Sequence, residues 1–126
     1  MAEINNLVKQ WVDMWNNYDV NQVTELFSND ERVTYFSSER TELIKGISNL
    51  LEHHKSLGFV PGGKESGNEL WLEKVENEKH GNSDVVKGIW FFRREGSKTT
   101  QKGPVTLVYF DEGKGSKIIH AHFSNY

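Results

Sequence analysis

The chain contains no cysteine. Disulfides, thiolate nucleophiles and cysteine-ligated zinc are thereby excluded, and a reducing compartment is permitted. It also lacks an excess of positive charge. Lys and Arg total 15 against 18 Asp and Glu, the net charge is −3, and the basic residues are scattered rather than striped. A nucleic-acid binder gathers positive charge to neutralise phosphates, so no nucleic-acid partner is expected. No apolar stretch approaches the roughly 20 residues that span a bilayer. The opening Met-Ala-Glu-Ile-Asn-Asn has no basic region leading into an apolar run, so neither a signal peptide nor a membrane role is expected. A cytoplasmic location is the corresponding expectation. Hydrophobic residues are scarce at 36%, yet aromatics reach 12%, and large rings can carry much of a core. A length of 126 residues suits one domain, residues 1–126, with one core.

What is present begins with helices. Ile4, Leu7, Val8, Trp11, Trp15 and Tyr18 recur at helix spacing and draw one apolar stripe. Asp19 followed by Gln22 has the form of a capping box, and Val20, Val23, Leu26 and Phe27 mark a short second helix. Val33 to Phe36 is β-branched and aromatic and predicts a short strand. A third helix follows Gly46, with Ile47, Leu50, Leu51 and His54 inward and His53 off the stripe, in solvent. From Glu69 the pattern changes to four strands, 69–77, 84–95, 102–111 and 116–125, parted by turn-forming residues. Helices first and a consecutive meander afterwards predict an α+β layer fold: three helices on a curved antiparallel sheet.

The order Trp11, Trp15, Asp19, Leu26-Phe27, then Gly46-Ile47, then Lys117-Ile118-Ile119-His120-Ala121-His122-Phe123-Ser124 resembles the nuclear-transport-factor-2-like superfamily, within it the SnoaL-like branch. The resemblance covers nearly the whole chain and implies a cystatin-like α+β cone. Members include ketosteroid isomerases, polyketide cyclases, dehydratases, epoxide hydrolases and non-catalytic association domains, so the site must decide the function. The resemblance also implies a ligand cavity, cofactor-independent chemistry where there is any, and a homodimer formed through the sheet. The final strand is similar to the His-x-His-x-Ser ending of a kinase hub domain that forms assemblies.

The candidate residues follow from alternation and helix spacing. His120 and His122 share one strand face and could hold a metal only with a third ligand. Ile119, Ala121 and Phe123 form the more apolar face, which turns the histidines outward, and no metal is expected. His54, on the inward stripe, is a candidate acid, base or hydrogen-bond donor; the plainer reading is a core histidine satisfied by a backbone group. Glu73 shares a face with Trp71 and Val75. It is a desolvated base if that face lines the cone and an ordinary exposed residue if it does not, and the apolar Leu70 and Leu72 favour the second. Tyr35 and Tyr18 complete the set of possible polar actors. Trp15, Trp71, Trp90, Phe92, Tyr109 and Phe123 come from several elements and could wall a pocket for a small, largely apolar molecule. Arg94, on the Trp90 face, could meet an acidic group. Gly62-Gly63-Lys64 lacks the full phosphate-loop pattern. The competing reading is a non-catalytic dimerisation module that uses the outer sheet face.

Overall fold

Helix α1 (Ala2–Asn17) buries Ile4, Trp11, Met14 and Trp15, the stripe that the sequence spacing marks. The structure is a computed structural model that describes residues 2–126. After α1 the chain turns at Tyr18, whose φ of 55° is left-handed. Asp19 then caps α2 (Val20–Leu26), accepting hydrogen bonds from the backbone N–H groups of Asn21 and Gly62, both at 3.0 Å. The carboxamide oxygen of Gln22 is buried without a partner, so the reciprocal half of the expected capping box does not form. Asn16 ties the helix to the sheet through its side-chain amide. It donates to Leu70 O at 3.1 Å and accepts from Leu70 N at 2.8 Å.

Next come β1 (Thr34–Phe36), β2 (Ile44–Lys45) and α3 (Ile47–Ser56). The meander follows as β3 (Glu69–His80), β4 (Ser83–Arg93), β5 (Gln101–Asp111) and β6 (Ser116–Phe123). Among the described residues the strands form one open sheet in the order β2-β1-β6-β5-β4-β3. The four C-terminal strands pair antiparallel, as the turn-forming residues predict. One pairing departs from the expected antiparallel sheet: β1 lies parallel to β6, with Tyr35 opposite Ala121. Strand β2 was not legible because two residues cannot show a period.

The face toward the helices carries Leu70, Val86, Trp90, Phe92, Val105, Leu107, Tyr109, Ile118, Ala121 and Phe123, all buried. The outward face carries Trp71, Ile89, Phe91, Val108, Phe110, His120 and His122. Strict alternation fails once in β6. Val108 pairs with His120 and the adjacent Tyr109 with Ile118, leaving Ile119 as the extra residue of a bulge. Ile119 therefore leaves the Ala121–Phe123 face to which alternation assigned it, and Ile118 takes the buried place. A second bulge in β3 puts Lys74 at a φ of 56°.

At one end of the sheet Trp90 stacks on Phe123, ring centroids 4.4 Å apart, and donates its Nε1–H to Ser124 O at 2.7 Å. Gly103 makes this possible. A Cβ there would lie 1.9 Å from Ser124 O and 2.9 Å from Trp90 Nε1, closer than van der Waals contact allows.

Candidate functional site

The cone opens at this Trp90 end. A cavity of about 70 Å³ is walled by Trp15, Trp90, Phe92 and Phe123, with Tyr18 and Arg94 among the residues that edge it. Trp15 stacks on Phe123 at 5.5 Å and 16° and forms the floor. Arg94 lies over the Phe92 ring, 5.3 Å from its centroid, as expected of the arginine on the Trp90 face. Tyr18 is fixed from outside: Asn68 donates to its hydroxyl at 3.0 Å and Lys64 sits over its ring.

Beneath the floor lies a buried polar cluster. Trp15 touches His54 at 5.8 Å, Tyr35 meets His54 at 5.6 Å and His53 at 5.7 Å, and the two imidazoles are 5.7 Å apart, all between ring centroids. His54 is fully buried, and its Nδ1 lies 2.9 Å from Leu50 O. A carbonyl oxygen can only accept, so in the neutral ring Nδ1 carries the hydrogen and Nε2 keeps a lone pair. Nε2, the Tyr35 hydroxyl, Trp15 Nε1 and both nitrogens of His53 are buried with no partner in the protein. Most buried polar groups in folded proteins are paired, so a group of unpaired ones in one place points to use by something else.

Burial sets the charge states here. It lowers the His54 pKa to about 4, against the opposing pull of the bond to Leu50 and with a smaller push from His53. Burial, then the charge of Arg40, lowers His53 as well. Burial raises the Tyr35 phenol well above its ordinary value. At neutral pH the cluster is uncharged.

The structure gathers His54, Tyr35, Tyr18, Trp15, Trp90, Phe92, Arg94 and Phe123 in or around the cone. It separates three others from them. Trp71 stacks on Phe91 at 5.5 Å on the outward sheet face and donates to the exposed Glu73 at 3.0 Å, so neither faces the cone. Tyr109 is inward and buried, but it pairs with Ile118 and Asp84 toward the opposite end of β5. It lies six residues from Gly103, about 20 Å along the strand. The expectation of a solvated His53 is corrected: it is 1% exposed. The buried positions of α3 are Leu50, His53 and His54, an i, i+3, i+4 set present in the sequence, whereas Ile47 and Leu51 are only partly covered.

A larger cavity lies elsewhere. It measures about 380 Å³ and lies against the outward side of β1 and β6, lined by Asp30, Arg32, Thr34, Phe110, Glu112 and His120 among others. Its polar groups are already partnered. Arg32 pairs with Asp30 at 2.8 Å, Ser28 donates to Glu112 at 2.9 Å, and Thr34 Oγ1 lies 2.7 Å from His120 Nδ1. His122 is exposed beside Phe36 and contacts Ser124. Volume favours this groove and unpaired chemistry favours the cone; the second is the better guide, because a satisfied group gains little from a ligand. Among the described residues no group of three or more His, Cys, Asp or Glu side chains gathers to hold a metal ion, and no helix is long and apolar enough to cross a membrane.

Comparison with solved structures decides the architecture. An NTF2-like superfamily protein from Salmonella enterica serovar Typhimurium superposes with a TM-score of 0.81 at 19% identity, over 98% of this chain and 89% of that one. The chain has the NTF2-like, cystatin-like fold. An NTF2-like protein of unknown function from Pseudomonas putida gives 0.84 at 18% identity, over 98% and 84% of the two chains. A ketosteroid isomerase-like protein from Parabacteroides distasonis gives 0.73 at 22% identity, over 98% and 85%. No protein-family model matches the sequence, and no curated protein is significantly similar to it. At these identities the likeness extends to the fold alone. A fold does not fix an activity, which is set by the side chains at the site.

Proposed function

We propose that the cone binds a small, largely apolar molecule, with Trp15, Trp90, Phe92 and Phe123 as walls, Tyr18 and Arg94 at the rim, and Tyr35 and His54 as the polar end. One observation carries this reading: an aromatic-walled opening shares Trp15 with a buried cluster of polar atoms that have no partner in the protein. Aromatic walls with a few converging polar groups are the ordinary composition of small-molecule sites. Any chemistry there is cofactor-independent, with the Tyr35 hydroxyl donating to a substrate oxygen and His54 Nε2 taking a proton. Burial lowers the His54 pKa to about 4, so at neutral pH the imidazole is uncharged and its Nε2 lone pair is available as an acceptor. The test is a thermal-shift screen with steroids, aromatic polyketides, terpenoid epoxides and small carboxylates. A ligand at a hundred times its dissociation constant adds about 2.7 kcal/mol, on the order of 10 °C here. A dose-dependent rise from one class supports the reading, and a flat response to all of them removes it.

A second reading concerns assembly. The outward sheet face presents the half-buried Ile89, Phe91, Val108 and Phe110, with Phe36 at 43% exposure. We infer that this apolar surface pairs with a second copy of the chain, whether or not the cone is occupied. Sedimentation at micromolar concentration is expected to give a dimer; a monomer sinks this reading.

A further inference from the structure

The hydrogen-bonding roles in the cone narrow the ligand further, on the premise that the cone binds small apolar molecules as proposed above. Trp15 Nε1–H can only donate, and the Tyr35 hydroxyl is free to donate. His54 Nε2 can only accept, because the ring hydrogen is held on Nδ1 by Leu50 O. All three atoms are buried and unpartnered, and both donor rings touch the imidazole, Trp15 at 5.8 Å and Tyr35 at 5.6 Å. The neutral His53 ring, 5.7 Å from both Tyr35 and His54, adds one donor and one acceptor, so the cluster offers both kinds of group to whatever reaches it.

A ketone, an ether or an ester accepts but does not donate, and leaves Nε2 unsatisfied. A carboxylate does the same and brings a charge into a cluster that holds no cation. An ammonium donates and cannot accept, leaving Tyr35 and Trp15 unsatisfied. A hydroxyl does both with no charge. We propose that the cone selects a neutral ligand bearing an alcohol or phenol hydroxyl, which donates to His54 Nε2 and accepts from Tyr35 or Trp15. Trp15 both bounds the opening and touches His54, so its indole is the side chain that links the two. The small opening favours a single ring over a fused one.

Calorimetric titration at pH 7.5 with phenol, anisole, toluene and benzoate tests this: anisole replaces the hydroxyl hydrogen of phenol by a methyl group, and toluene controls for that added bulk. Phenol is expected to bind at least about tenfold more tightly than anisole and toluene, with benzoate weakest, because sites built to hydrogen-bond a substrate hydroxyl reject analogues that lack it. The phenol-to-toluene ratio is expected to fall to about one in His54→Phe. Should that variant not fold, the wild-type series still decides. Phenol binding no tighter than anisole or toluene overturns the inference and leaves the apolar-ligand reading standing, and so does tighter binding of benzoate. No heat of binding from any of the four at millimolar concentration overturns both.

Discussion

Thr34 and Tyr35 are neighbours on β1, and they face two different chemical situations. Thr34 points outward, where its hydroxyl meets His120 at 2.7 Å and the adjacent Asp30 and Arg32 neutralise one another. Tyr35 points inward, where its hydroxyl meets nothing, beside the unpaired His53 ring and the His54 ring whose Nε2 is unpaired. The outer groove is larger yet chemically closed, whereas the inner site is narrow and chemically open. Polar pairing, more than empty volume, distinguishes a surface recess from a place prepared for a ligand.

The greatest expected contrast is between two tryptophans. Trp15→Ala removes a buried ring packed on Phe123, Phe59 and His54 and should cost about 3–5 kcal/mol, together with ligand binding. Trp71→Ala removes one half of an outward stack and should cost about 1 kcal/mol. Chemical denaturation of both variants measures the gap, and equal losses would erase the distinction between the faces.

The next effect is in the pH dependence. His54 has a folded pKa near 4 against 6.5 for the free side chain, so between those values the unfolded chain binds more protons. Stability from this group is full above about pH 6.5 and is lost as the pH falls toward 4, by about 3 kcal/mol in total. His53, lowered in the same direction, adds to the slope. His54→Asn should flatten the curve of unfolding free energy between pH 7 and 4 relative to wild type. A curve of unchanged steepness would mean that His54 is already paired.

A smaller effect should have opposite signs at the two neighbours. Tyr35→Phe deletes an unpaired buried hydroxyl and should raise stability by about 1 kcal/mol while weakening ligand binding. Thr34→Val strips His120 Nδ1 of its partner and should lower stability by a similar amount, about 1 kcal/mol. Two shifts of the same sign would break the comparison. The least change is expected from Asp30→Asn. Its carboxyl, held at about 2 by hydrogen bonds from the Arg32 guanidinium and backbone N–H, is 31% exposed, and the melting temperature should move by less than about 2 °C.

Much of this was legible in the sequence because the long periodic elements dictate their own faces. The α1 stripe and the meander follow from spacing, whereas spacing offered Trp71 and Tyr109 as pocket walls on the same footing as Trp15, Trp90, Phe92 and Phe123. His53 was misplaced because two overlapping helical stripes fit the same ten residues, and only packing against rings from several elements, Trp15, Phe27 and Tyr35 among them, selects the one through Leu50, His53 and His54. Trp71 and Glu73 share the face opposite the apolar Leu70 and Leu72, and the outward direction that those two leucines favour is the one the structure shows. The unpaired state of Tyr35 and His54 could not be read from the sequence at all, since a missing partner is a property of the whole neighbourhood.

The extra residue in β6 has a consequence for how such a protein can change over generations. With Ile119 present, the residues turned toward the helices are Ile118, Ala121 and Phe123. Were a three-nucleotide deletion to remove Ile119, simple alternation would turn the same three inward. Only the local bend that a bulge imposes would be lost. The bore of the cone can thus be altered by the length of one strand while every wall keeps its amino acid, so that capacity and chemistry are heritable separately.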